Sequence, residues 1–205
     1  MTIKQKRLFL LYLLPIFSLI IPINFAFADL SKIQEGEWIL GSEDAPITMI
    51  EYASLSCPHC ASFHANKLPK IKEEYIDNGK VKFVFRSFPF NIPALQASMI
   101  VNCVGEDLHF KYLNALFSLQ RSWVKENSKE LLFNIVETGG MSKEDFESCL
   151  SDKELETKIL NNQISANKEL KIKTTPSFLI NGRLVEGNKS LETFRQVFDS
   201  ILENL

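Results

Sequence analysis

Two of the four cysteines in this 205-residue chain, Cys57 and Cys60, are separated only by Pro58 and His59. Thiols at this spacing can exchange a disulfide, hold part of a zinc site or form a static bridge, and the local setting separates these uses. Here a mostly apolar strand pattern with β-branched Ile47, Thr48 and Ile50 runs from Ile47 to Ala53, Cys57 follows just beyond its end, and a helical pattern begins at Pro58. Cys57 is therefore expected at a helix N-terminus, where unpaired N–H groups and the positive end of the helix dipole stabilise an anion. The thiolate is the reactive form of cysteine, and such surroundings lower its pKa by several units. Pro58 suits the first helical position, since the N–H it lacks would be an orphan there. His59 adds a donor or a positive charge beside the Cys57 sulfur. Cys60, one turn in, is expected to be less exposed and to act as the resolving thiol.

The plainer readings of the same residues are a structural Cys57-Cys60 bridge or half a zinc module. His64 extends the spacing to C-x₂-C-x₃-H, but a zinc module needs another suitably placed ligand. Cys103 and Cys149 lack a C-x-x-C partner, so no metal is assigned. His64 and His109 are read as ordinary helix residues.

The elements around the motif follow from periodicity. Glu37 to Leu40 reads as a short strand, Ile47 to Ala53 as a buried one, Pro58 to about Asp77 as a helix closed by Asn78-Gly79, and Val81 to Phe88 as the next strand. Strand, helix and strand in this order imply a parallel pair. Between about 89 and 174 the signals are helical: Ala94 to Val104, Leu108 to Gln120, Lys129 to Glu137, and two helices opened by Ser142 with Asp145 and by Ser151 with Glu154 as capping boxes. Ser177 to Ile180 and Arg183 to Glu186 then flank Asn181-Gly182, the signal for a type I′ hairpin. Leu191 to Leu202 forms a closing amphipathic helix. The fold class is α/β with an inserted α-helical subdomain.

Lys4, Lys6 and Arg7 precede an almost uncharged apolar run from Leu8 to Phe27, and Ala26-Phe27-Ala28 has the small-x-small pattern of a signal-peptidase site. A signal peptide over 1–28, cleaved after Ala28, and a mature domain over 29–205 are expected. The competing reading is an uncleaved anchor, because about 20 apolar residues span a bilayer, although Pro15 and Pro22 interrupt the run. Both readings put the domain outside the cytoplasm, in the periplasm. There, four cysteines favour two disulfides. Cys103 and Cys149, in different helices of the insertion, form the structural one; two buried free thiols are the alternative. With 23 basic against 25 acidic residues and no long block of one sign, no nucleic-acid footprint is present.

The run Glu51-Tyr52-Ala53-Ser54-Leu55-Ser56-Cys57-Pro58-His59-Cys60 resembles the active-site region of DsbA-like thiol-disulfide oxidoreductases, and Thr174-Thr175-Pro176-Ser177-Phe178-Leu179-Ile180-Asn181-Gly182 resembles their proline loop. The likeness covers roughly Glu35 to Leu202. It implies a thioredoxin fold with a helical insertion at about 89–174, a redox-active Cys57-Cys60 disulfide tuned by Pro58 and His59, and a cis Pro176 facing that disulfide. Thr175 and Pro176 are then expected to bind substrate backbone, and Glu51 to move protons beneath the motif. The plain alternative for Glu51 is pairing with Lys82 or Arg86. The family also implies partners: reduced, unfolded exported polypeptides and a DsbB-like quinone-linked membrane reoxidase. A monomer without a metal or organic cofactor is expected.

One departure leaves the direction of exchange open. The best-known oxidases of this kind carry valine before the cis proline, whereas Thr175 looks more like isomerases or a divergent oxidase branch. Isomerases of the DsbC kind also need a dimerisation domain, for which Asp29 to Leu40 is too short. The readings carried forward are an oxidase, an isomerase or reductase of the same fold, and a redox-inactive binding module. Trp123, Phe88 and Phe90 could line a substrate groove or belong to the core.

Overall fold

The computed structural model describes residues 29–205; the expected leader lies outside the described residues. Five strands form one mixed sheet: β1 (Ile39–Leu40), β2 (Ile47–Ala53), β3 (Val81–Ser87), β4 (Ser177–Ile180) and β5 (Arg183–Glu186), in the order β1-β3-β2-β4-β5. β2 and β3 are parallel, and every other neighbouring pair is antiparallel. Every β2 residue except Thr48 is buried, as expected of a strand covered on both faces. The register sets Glu51 between Phe85 on β3 and Phe178 on β4, well inside the sheet. Only Ile39 and Leu40 of the expected first strand join the sheet, against Val84 and Phe83.

Alternation along the strands divides the core. Met49, Ala53, Phe83, Phe85, Phe178 and Ile180 face a large core shared with the motif helix, the closing helix and much of the insertion. Ile50, Tyr52, Val84 and Leu179 face a smaller one with Ala166 and Ile172. On that second side the buried Arg86 donates to the Leu30 carbonyl at 2.6 Å, the Lys32 carbonyl at 2.5 Å and the Tyr52 hydroxyl at 2.7 Å, and pairs with Glu37. These bonds fasten the first described residues to the sheet.

The helix expected from Pro58 to Asp77 is interrupted. α1 (Pro58–Asn66) ends at Lys67, α2 (Leu68–Ile71) follows, and a π-helical turn (Lys72–Ile76) completes the segment. Pro69 is the cause: it has no N–H for the helix ladder, and its ring crowds the carbonyl four residues back. The insertion holds α3 (Ile92–Cys103), α4 (Glu106–Ser118), α5 (Gln120–Trp123), α6 (Ser128–Thr138), α7 (Lys143–Ser151) and α8 (Lys153–Glu169); α9 (Leu191–Leu202) closes the chain. Ser142 caps α7 through the Asp145 N–H, as expected. The cap of α8 is Asp152, not Ser151: its carboxylate accepts from Glu154 and Leu155, while the Ser151 hydroxyl donates back to the Ser148 carbonyl within α7.

Asn181 and Gly182 both have positive φ, 44° and 84°, the requirement of a type I′ turn. Cys103 at the end of α3 and Cys149 in α7 are disulfide-bonded, with Cα atoms 5.6 Å apart. The bridge joins two helices of the insertion.

Candidate active site

Cys57 is the N-cap residue of α1, in extended geometry at φ −84° and ψ 120°, and Pro58 occupies the first helical position. Its N–H donates to the Ser54 carbonyl at 2.9 Å, and its carbonyl accepts from Ala61. This small turn carries the chain from β2 directly into the helix. Cys57 keeps a sliver of exposure, 8%, whereas Cys60 has none. Pro58 and His59 between them are exposed. The two thiols are unbridged, so this is the dithiol form.

Across from the motif, the Thr175–Pro176 peptide bond is cis. The Thr175 carbonyl lies 3.4 Å from the Cys57 sulfur and accepts from it when the thiol is protonated. Thr175 is itself buried, and no group among the described residues occupies its hydroxyl, which leaves it available to the Cys57 sulfur. The 174–176 loop and the helix N-terminus thus meet at one sulfur, although they are 118 residues apart in sequence.

These contacts make the two thiols very unequal. Donation from the Cys60 thiol, aided by the Thr175 hydroxyl and the backbone N–H groups of Cys60 and His59, outweighs burial and pulls the Cys57 thiol from 9.0 to about 5. Cys60 moves the other way: burial first, then its hydrogen bond to Cys57 and the nearby Glu51 charge, push its thiol far above the usual range. The contribution of His59 here comes from its backbone N–H, since its side chain is turned out toward solvent.

Three neighbours were not legible as site residues from the motif. Gln120, buried on α5, donates to the Leu55 and Cys57 carbonyls at 2.7 and 3.0 Å. Asn91 caps α3 with its side-chain oxygen and donates to the Ser56 hydroxyl with its nitrogen. His64, expected as an ordinary helix residue, is buried, with its Nε2 2.7 Å from Oε2 of Glu51. Glu51 consequently pairs with neither Lys82, which donates to the Glu43 carbonyl, nor Arg86. A signal for His64 existed: it stands four residues after Cys60, on the same helix face.

Beside the motif a groove of about 550 Å³ opens between α1 and the α4–α5 junction, lined by Pro58, Ala61, Phe117, Leu119 and Gln120 among others. Of the three aromatic residues weighed for a groove, Trp123 and Phe88 are core, and Phe90 is exposed.

The Thioredoxin family matches residues 34–200. The crystal structure of Wolbachia pipientis alpha-DsbA1 superposes with a TM-score of 0.78 at 35% identity, covering 84% of this chain and 94% of that one. The chain belongs to the DsbA-like thiol-disulfide oxidoreductases. A Bacillus anthracis relative named "Probable disulfide bond formation protein D" is 31% identical over 175 residues, covering 80% of this chain and 77% of its own. A Rickettsia bellii relative named "Putative protein-disulfide oxidoreductase" is 34% identical over 174 residues, covering 84% of this chain. The chain spans 67% of that protein's length and 62% of its Rickettsia felis counterpart's. In this DsbA-like setting, strand, cysteine pair, helix and cis-proline loop lie in the expected order, with the helical insertion between the two halves of the sheet.

Proposed function

We propose that the protein oxidises thiols of reduced, newly exported polypeptides, working in the periplasm once a leader over 1–28 has been removed. The observation that carries this reading is the unequal setting of the two thiols: Cys57 caps α1 at its N-terminus and keeps slight exposure, while Cys60 is fully buried. A thiolate is therefore favoured at Cys57, which stabilises the dithiol form and makes its disulfide a strong oxidant.

In the forward reaction a substrate thiolate attacks the Cys57 sulfur of the Cys57-Cys60 disulfide. The S–S electron pair leaves with Cys60, which takes up a proton, and a mixed disulfide remains on Cys57. A second substrate thiolate then attacks the substrate sulfur, releasing the oxidised substrate and the Cys57 thiolate. Two electrons pass from substrate to enzyme, and no metal or organic cofactor takes part. Pro58 and His59 tune the motif, Glu51 serves the proton on Cys60, and Thr175 with Pro176 receives the substrate backbone beside the reacting sulfur. Exposed Leu119, at the end of α4, and the groove along α1 offer apolar surface with little sequence preference, which suits unfolded chains. A DsbB-like membrane reoxidase would return the monomeric enzyme to its disulfide form.

Thr175 supports a second reading, an isomerase or reductase. Refolding of a scrambled substrate identifies an isomerase, which must recover activity without net oxidation, and the equilibrium reduction potential of the mature domain separates an oxidant from a reductase. An oxidant is expected to lie above about −200 mV, and a value near the −270 mV of thioredoxin would indicate a reductase. A disulfide that resists glutathione entirely would indicate a redox-inactive binding module.

A further inference from the structure

The exchange steps above require Cys60 to gain a proton when the disulfide opens and to lose it when the disulfide re-forms. Cys60 has no exposure of its own, and Glu51, fully buried in the centre of β2, has no direct route to solvent. His64 stands at the boundary. Its side chain is 3% exposed and its Nε2 is held by Glu51, while the ring stacks on Phe117 with centroids 4.0 Å apart and meets Phe63, Phe83 and Phe85 edge-on. His64 also lines a cleft of about 490 Å³, together with Ala61, Ala65, Phe110, Asn114 and Phe117 among others, and Asn114 on its wall is exposed.

Two buried polar atoms of the pair, Oε1 of Glu51 and Nδ1 of His64, have no hydrogen-bond partner among the described residues. The pair thus keeps an open acceptor on the acid and an open nitrogen on the ring, at a histidine that both bonds a buried acid and lines a cleft. His109 also leaves one ring nitrogen, Nε2, unpaired, but its Nδ1 donates to the Val101 carbonyl, joining α3 to α4, and it neither bonds an acid nor lines this cleft.

We propose that His64 is the proton relay of this site, passing protons between the cleft and Glu51 and thereby to and from Cys60. The inference rests on the exchange reading above and adds the path by which its proton moves. Before reaction the pair holds one proton more than carboxylate plus neutral imidazole. When Cys60 departs with the S–S electron pair, Glu51 delivers that proton to its sulfur, leaving carboxylate and neutral imidazole. Nδ1 then takes a proton from water in the cleft, and the pair is reset. Re-oxidation runs the same transfers in reverse. Glu51 acts directly on Cys60 by its charge; His64 acts through Glu51 and is a positioning residue.

Few other titratable groups face the pair. Cys57 and Cys60 lie on its motif side, Lys72 stands at the rim of the cleft and is tied to Asp77 at 2.5 Å, and the surfaces of β3 and α4 that pack against the ring are apolar. Arg86 points to the opposite face of the sheet.

The test is single-turnover reduction of the disulfide form by glutathione across pH, expressed per glutathione thiolate, for the native protein and His64→Gln. Glutamine can keep a hydrogen bond to Glu51 but cannot carry a proton. The variant is expected to lose about tenfold or more in rate, with the inflection of the native profile shifted or abolished, while the Cys57 thiolate absorbance titrates as in the native protein. Native rate and native inflection in His64→Gln would overturn the relay. Should that variant not fold, the native protein decides: the pH at which the single-turnover rate inflects is expected to coincide with the titration of the His64 ring followed by nitrogen-15 NMR in the disulfide form, and a ring that does not change protonation across that inflection would overturn the relay. Failure of the native disulfide to exchange with glutathione at all would instead defeat the underlying exchange reading.

Discussion

The Gln120 side chain donates to the Leu55 carbonyl at 2.7 Å, so the helical insertion holds the turn that presents the reactive cysteine. The same nitrogen reaches the Cys57 carbonyl, which already accepts from Ala61 in the first turn of α1. The Leu55 carbonyl depends more on Gln120 than the Cys57 carbonyl does. Gln120→Leu is therefore expected to destabilise the protein by about 1 to 3 kcal/mol, the cost of a buried polar group losing its partner. Chemical denaturation of the two proteins in the same redox state measures this.

The assignment of roles within the motif predicts opposite behaviour of the two serine variants. Cys60→Ser should accumulate mixed disulfides with reduced substrates through Cys57, because the attacking thiol remains and the resolving one is gone. Cys57→Ser should accumulate none, since Cys60 is fully buried and its thiol resists ionisation. Non-reducing gels read the result, and adducts on Cys60 would reverse the roles.

Replacing Cys103 and Cys149 together by serine should lower stability while leaving thiol exchange in the folded protein largely intact. Their bridge closes a sequence separation of 46 residues within the insertion. The chain-entropy account gives about 4 kcal/mol for such a loop, with 2 to 5 kcal/mol typical of native bridges. Unfolding and glutathione exchange of the double variant measure the two effects separately; a loss of exchange in the folded variant would show that the bridge shapes the active site.

The dithiol form should be the more stable one at neutral pH, and its advantage should shrink on acidification. The folded Cys57 thiol sits at about 5 against an ordinary 9.0. A depressed folded value adds stability that is complete above the unfolded value and disappears as pH falls through the folded one. At pH 7, two pH units above the folded value, this amounts to about 3 kcal/mol. Cys60 has the opposite sign: its raised value costs stability once the unfolded thiol ionises, near and above pH 9.0. The advantage should therefore grow from about pH 5 to a maximum near pH 9 and decline again above it. Unfolding of both redox forms from pH 4 to 8, with Cys103-Cys149 kept bridged, tests the acid limb. A disulfide form that is the more stable at pH 7 would contradict the strong-oxidant reading.

Much of this molecule was readable from local pattern. Mostly apolar runs rich in β-branched and aromatic residues marked β2 and β3, because a strand buried on both faces needs such residues whatever its neighbours are. Asn181-Gly182 marked the hairpin turn, because both positions need positive φ. The Cys57-Pro58-His59-Cys60 spacing, set after a strand and at the head of a helix, was enough to point to thiol exchange. Local pattern failed where one residue outweighed a long periodicity, as Pro69 did in breaking the helix after Asn66.

What the linear chain determined by itself was the reactive pair, the elements that frame it and the resemblance they carry, since each depends on residues close together in sequence. Tertiary structure alone decided the company those residues keep. Thr175 meets the Cys57 sulfur across 118 residues, Gln120 reaches Leu55 across 65, and His64 on α1 turns inward to Glu51 on β2 because the helix packs on that face of the sheet. The acidity of a thiol and the protonation of a buried acid depend on distances and on the exclusion of water, and both are created only when the strands, α1 and the insertion close around one another.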